Sequence, residues 1–249
     1  LSLSVLPVVV QSHGEGQWLK LPGGYRVRPS EFCQVAYLLF AAQALSQGPL
    51  TLRRFKKSGV YFLIGTALFA GMLALQGDHG MMVLVVIIAT GLAYIGQMRG
   101  KWLAVVGLVA AMALSTAATV LRGDRVHAFL DPLKHKSHEG FQILTMKIAL
   151  ARGSVTGLGL GRSPEKWRFL PEPHNDAIFA VIGSELGFFG AVLLIVILGA
   201  IAWRCLEIGR EAPHNIGYFI ATGVGIMLAA QMIIHLAVAT HLIPITGLT

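Results

Sequence analysis

Apolar residues in this chain come in long unbroken runs, without the alternation of a half-buried strand or the three-four spacing of a surface helix. The runs cover Phe32 to Gln47, Val60 to Gln76, Met81 to Gln97, Trp102 to Leu121, Ala177 to Trp203 and Ile216 to Leu242. About 17 to 25 mostly apolar residues can cross the hydrocarbon layer of a bilayer. Lipid supplies no hydrogen-bond partner to the backbone, so each run predicts a transmembrane α-helix. Leu1 to Val10 is apolar too, but about half the length a span needs. The chain opens on Leu1 with no basic stretch before it, so this segment reads as part of a helix and not as a secretory leader. Ile245 to Thr249 stops just past a helix without a polar tail, and both ends read as cut.

Composition agrees with the pattern. Hydrophobic residues make up 55% and charged residues 13%, against roughly a quarter charged in soluble domains, which excludes an ordinary soluble enzyme. A net charge of +8 would fit a nucleic-acid binder, but in a membrane chain the placement of Lys and Arg sets orientation first, and no nucleic-acid partner is expected. Arg53, Arg54, Lys56 and Lys57 follow the first full run, Arg99 and Lys101 the third, and Arg204 and Arg210 the fifth. Alternation puts all of these on one side, the cytoplasmic one. Asp78, His79, the segment Ser12 to Ser30 and the long loop Arg122 to Asn175 then face outward. Lys20, Arg26 and Arg28 lie in that outward segment, so the bias is clear but not absolute. Cys33 and Cys205 fall near opposite faces, which precludes a disulfide between them, and the chain carries no phosphate loop, dinucleotide fingerprint, HExxH or internal repeat.

The candidate chemistry gathers in the loop Arg122 to Asn175, much longer than a connection requires. Ile143, Met146, Ile148 and Leu150 predict a short amphipathic helix over Phe141 to Ala151, lying at the outer interface. The glycine-rich stretch Gly153 to Gly161 lacks the strand context of a nucleotide loop, and reads as backbone packed tightly against helices or lipid headgroups. Arg122, Arg125, Lys134, Lys136, Lys147, Arg152, Arg162, Lys166 and Arg168 crowd the loop. Such a cluster suits a lipid-linked pyrophosphate and equally suits anionic headgroups.

Glu172-Pro173-His174-Asn175-Asp176 closes the loop just before the apolar run from Ala177. Asp176 is placed to cap that helix. Glu185 stands within the run, where a carboxylate is costly and marks function. The nine residues between the two span about 13 Å of helix, so both can line one cavity without touching. Gln231 and His235 share a face of the last run and are expected to bond between helices; as a metal site the pair offers too few ligands.

Gly140 to Gly190 resembles, without a gap, the region around the large extracellular loop of the SEDS family, which includes FtsW, RodA and SpoVE. The matching residues are Gly140, Gln142, Gly153, Gly157 to Gly161, Ser163, Lys166, Leu170-Pro171-Glu172, His174, Asp176, Ile178 to Val181 and Glu185-Leu186-Gly187. Arg125-Val126 with Phe129-Leu130-Asp131-Pro132, Trp18, Pro29-Ser30-Glu31, Gln231 and Pro244 with Thr246-Gly247 extend the likeness over nearly the whole chain. It departs from the family pattern at Gly14 to Gln17, at Gly77-Asp78-His79-Gly80-Met81, at Thr145-Met146, at Ser184 and at His235 to Val238.

The resemblance implies an all-α polytopic membrane protein with about seven of the family's ten helices, lacking the first two and the tenth. Residues 1–249 would form a single membrane domain with one large extracytoplasmic loop, 122–175. It implies a bacterial inner-membrane peptidoglycan glycosyltransferase that polymerises lipid II into β-1,4-linked strands on the outer face, FtsW-like and serving division or elongation. Asp176 would be the general base, and Arg125 and Lys166 would steady the pyrophosphate. Glu172, His174, Gln142, Glu185 and Trp18 would bind substrate. A divalent cation, Mg or Mn, and a class B penicillin-binding protein acting as transpeptidase would complete the system. A flippase for lipid-linked substrates and a non-catalytic scaffold activating such a partner are the alternatives.

Overall fold

The computed structural model of the chain describes residues 9–12, 15–20, 26–46, 52–96, 107–108, 129, 138–164 and 177–244. Five of the six apolar runs are helices: α1 (Pro29–Ser46), α2 (Leu52–Leu75), α3 (His79–Ile95), α5 (Ile178–Glu211) and α6 (Asn215–Ala239). Of the run Trp102 to Leu121 only Gly107 and Leu108 are described, and both are helical. The amphipathic segment of the long loop is α4 (His138–Gly153), three residues longer at its start than its periodicity predicts.

One stretch differs from expectation. Val9 and Val10 end no helix but begin β1 (Val9–Ser12), which pairs antiparallel with β2 (Glu15–Lys20), and β2 with β3 (Arg26–Val27). The register sets Val10 opposite Trp18 and Leu19 opposite Val27. A run of β-branched valines followed by Gly14 favours a hairpin over a helix once the run is too short to span. Leu1 to Val8 lie outside the described residues.

The chain divides into two compact units, Leu1–Ser115 with Trp203–Met227, and Thr116–Ala202 with Leu228–Thr249. In the first, α1, α2 and α3 pack on one another through large apolar side chains such as Leu38, Leu45, Phe62, Leu84 and Leu92, with glycines and a few polar groups among them. The Tyr37 hydroxyl lies 3.0 Å from Thr66 Oγ1 in the buried seam, and the Phe40 ring fills the notch at Gly65. Gly223 receives Leu38 and Leu92, and Gly91 receives Ile226. Their outer faces carry large apolar side chains: Phe32, Val35 and Leu39 on α1, and Tyr61, Ile64, Leu68 and Met72 on α2, are exposed.

At the start of α3, Asp78 is buried and caps the helix, its Oδ1 accepting from the Met81 amide at 3.2 Å. Its Oδ2 lies 3.0 Å from Arg28 Nη2, both side chains buried. This pair ties the residue just after β3 to the α2–α3 turn.

In the second unit the last turn of α4 meets α5 at Gly183 and Ser184. Leu150 occupies the space at Gly183, and a β-carbon on Gly153 would stand 2.8 Å from Ser184 Cα, so the two backbones touch.

Candidate functional site

α5 is not one helix. At Gly187 the backbone turns to φ 68°, ψ −167°, a region open essentially to glycine alone, which separates a short helix, Ile178–Leu186, from a long one beginning at Phe188. In an unbroken helix the Phe188 amide would donate to the Ser184 carbonyl and the Phe189 amide to that of Glu185. Both pairs are cut, and both are remade through the glycine-rich turn after α4. The Leu158 amide donates to the Ser184 carbonyl at 3.0 Å and the Gly159 amide to that of Glu185 at 2.9 Å, while Phe188 donates to the Ser154 carbonyl at 3.0 Å and Phe189 to that of Val155 at 3.5 Å. The four backbone groups of these two pairs thereby find partners, as a broken helix at membrane depth requires.

The exchange needs backbone against backbone. Gly157 has φ 79°, and a β-carbon there would stand 2.6 Å from the Gly187 nitrogen. The expectation of tightly packed glycine backbone is met, against a helix. The interruption itself escaped the sequence reading, although Gly187 inside an apolar run beside a buried carboxylate was its signal.

Glu185 closes the short helix and is buried, and Ser184 is fully enclosed beside it. Gln142 and Thr145, one turn apart on α4, are also buried. The second unit therefore buries polar side chains on α4 and on the short helix. Trp18 is in β2, in the other unit. Asp176, Arg125, Lys166, Glu172 and His174 lie outside the described residues. The chain reaches the short helix directly from Asp176 through Ala177, which is buried and whose carbonyl accepts from Val181 at 3.0 Å.

Gln231 and His235 line an apolar cavity of about 300 Å³ together with Ile178, Phe179, Leu194 and Met232. Among the described residues no three His, Cys, Asp or Glu stand together as a metal site. Cys33 and Cys205 are both free thiols.

Helices that bury Gln34, Tyr37 and Thr66 while exposing Phe32, Ile64 and Leu68 are arranged for a surrounding of lipid, in which apolar side chains face outward and small or polar ones join helices. α5 repeats the arrangement, with Phe188, Phe189, Leu193, Val196 and Ile197 exposed, and α5 and α6 are both long and apolar enough to cross a membrane. The class is a polytopic helical membrane protein. The family model of the FtsW, RodA and SpoVE cell cycle proteins matches residues 1–249, and the chain belongs to that family.

Among its relatives is the stage V sporulation protein E of Bacillus subtilis, 32% identical over the full length of this chain and 69% of its own. The probable peptidoglycan glycosyltransferase FtsW of Methylococcus capsulatus is 36% identical over the full length of this chain and 64% of its own. A chain of a peptidoglycan synthase complex that coordinates polymerization and crosslinking superposes with a TM-score of 0.72 at 25% identity, over 98% of this chain and 68% of that one. The Thermus thermophilus rod shape determining protein RodA gives a TM-score of 0.66 at 22% identity, over 99% of this chain and 64% of its own, and shares the fold. This chain thus spans about two thirds of these relatives.

Proposed function

We propose that this chain is the greater part of a peptidoglycan glycosyltransferase that polymerises lipid II at the outer face of the bacterial inner membrane. The observation that carries the reading is the family match over residues 1–249, with relatives named probable peptidoglycan glycosyltransferase FtsW. Asp176 takes the proton of the GlcNAc 4-hydroxyl of lipid II. That oxygen attacks the anomeric carbon of the terminal MurNAc on the lipid-linked nascent glycan, and the C1–O bond to undecaprenyl pyrophosphate breaks. Inversion gives the β-1,4 link. Arg125 and Lys166 neutralise the departing pyrophosphate, and Glu172, His174, Gln142 and Glu185 hold the sugars. The solved synthase complex supports a class B penicillin-binding protein as partner.

The test is lipid II polymerisation by the full-length protein with its partner. Asn caps a helix about as well as Asp, whereas Ala costs about 0.5 to 2 kcal/mol. A positioned base is worth roughly 10² to 10⁴ in rate. Asp176→Asn is expected to keep expression, thermal stability and partner binding while losing nearly all polymerisation; wild-type turnover by this variant would reduce Asp176 to a cap. Arg125→Ala and Lys166→Ala are expected to slow turnover without unfolding the protein. Chelation in the same assay decides whether Mg or Mn takes part. A flippase would need a polar path through the bilayer, while the cavity at Gln231 and His235 is otherwise apolar; substrate translocation without glycan synthesis would establish that reading instead.

A further inference from the structure

The short helix Ile178–Leu186 is nine residues long by its bounds, about 13 Å. Isolated helices of that length are marginal in water, and the break at Gly187 denies this one the direct support of the longer helix behind it. What holds its far end is the turn from α4, through the amides of Leu158 and Gly159 on the carbonyls of Ser184 and Glu185. What holds its flank is the backbone contact of Gly153 with Gly183 and Ser184. The turn also grips the beginning of the longer helix, through Phe188 and Phe189. Its four bonds therefore set the angle at which the short helix leaves the long one, and the chain enters that short helix from Asp176.

We infer that the Ser154–Gly159 turn is the positioning element of the short helix that follows Asp176 in the chain, with Gly157 and Gly187 as the positioning residues. The inference rests on the polymerase reading above. Gly157 and Gly187 act through the short helix and not on the substrate. A shift of about 1 Å at the start of the short helix, the end that follows Asp176 in the chain, is enough to cost on the order of 100-fold in rate while leaving binding groups in place. The expected signature is loss of kcat at nearly constant KM.

The experiment uses the full-length protein with lipid II as substrate and hydrogen–deuterium exchange as the second readout. In the wild type the amides of Leu158, Gly159 and Phe188 are expected to exchange slowly and as one group. Gly157→Ala puts a methyl group between the turn and the break, and a single glycine inserted after Thr156 shifts the register without adding bulk. Either change is expected to release the three amides together and to lower kcat by about 10- to 100-fold, with KM within about 3-fold. Gly161→Ala, at a site where a β-carbon meets nothing within 4 Å, serves as the control for altering a positive-φ glycine in the same stretch.

Fast exchange of these amides in the wild type overturns the inference, whether or not any variant folds. So does a released turn with unchanged kcat, or a loss that appears only in KM. A wild-type protein that makes no glycan sinks the polymerase reading and the catalytic half of the inference with it, while slow, joint exchange would still establish the turn as the support of the short helix.

Discussion

Asp78 does two jobs with one carboxylate, capping α3 through Met81 and pairing with Arg28. Because both charges are buried, removing the Asp78 carboxylate breaks a buried pair, which costs about 3 to 5 kcal/mol, whereas replacing the two together by neutral groups is often tolerated. Asp78→Asn is expected to lower the melting temperature in detergent sharply although the cap survives, and Arg28→Met with Asp78→Asn to recover much of the loss. Equal melting temperatures for Asp78→Asn and the wild type would mean that the pair contributes nothing. The capping half of this arrangement is written locally, as an acidic residue just ahead of an apolar run. The pairing half is not, since Arg28 and Asp78 stand fifty positions apart and are brought together by folding.

Helices of the first unit meet where one of them has no side chain. A β-carbon at Gly223 would stand 2.7 Å from Leu38 Cδ1, while at Gly71 it would meet nothing within 4 Å. Gly223→Leu is therefore expected to destabilise by about 1 to 3 kcal/mol, the usual range for overpacking, and Gly71→Leu to stay close to the wild type in the same thermal scan. If the two substitutions cost the same, α1, α3 and the residues around Gly223 do not pack as described. The existence of each described span was legible from its apolar run, because length and hydrophobicity alone decide whether a segment can enter lipid. Which face of each helix turns inward was not, since nearly every position is apolar and period carries little contrast. The break in α5 was hidden for the same reason: Gly187 in an apolar run has the look of an ordinary membrane glycine until the turn that repairs it is seen.

Orientation in the membrane follows from where the short loops keep their Lys and Arg. A reporter fused at Arg53 is expected on the cytoplasmic side and one at Lys136 on the extracytoplasmic side. Finding both on one side would overturn the outer-face active site together with the topology. Membership of the FtsW, RodA and SpoVE family was legible in the same way, because Gly140 to Gly190 carries its glycines, prolines and charged residues at fixed spacing, and the full-length family match bears it out.

Local rules account for the spans, for the helix inside the long loop and for the cap at Asp78, since hydrophobicity, period and capping act within one or two turns of the chain. The hairpin from Val9 to Val27 shows the limit of that reasoning, as an apolar segment too short to cross lipid can go either way and its pairing with β2 settles the choice. The Arg28 to Asp78 ion pair and the four bonds exchanged between the Ser154–Gly159 turn and the break at Gly187 join residues about thirty to fifty positions apart. Their geometry depends on close approach of backbones and on charges leaving water together, and both are set only when the distant segments meet.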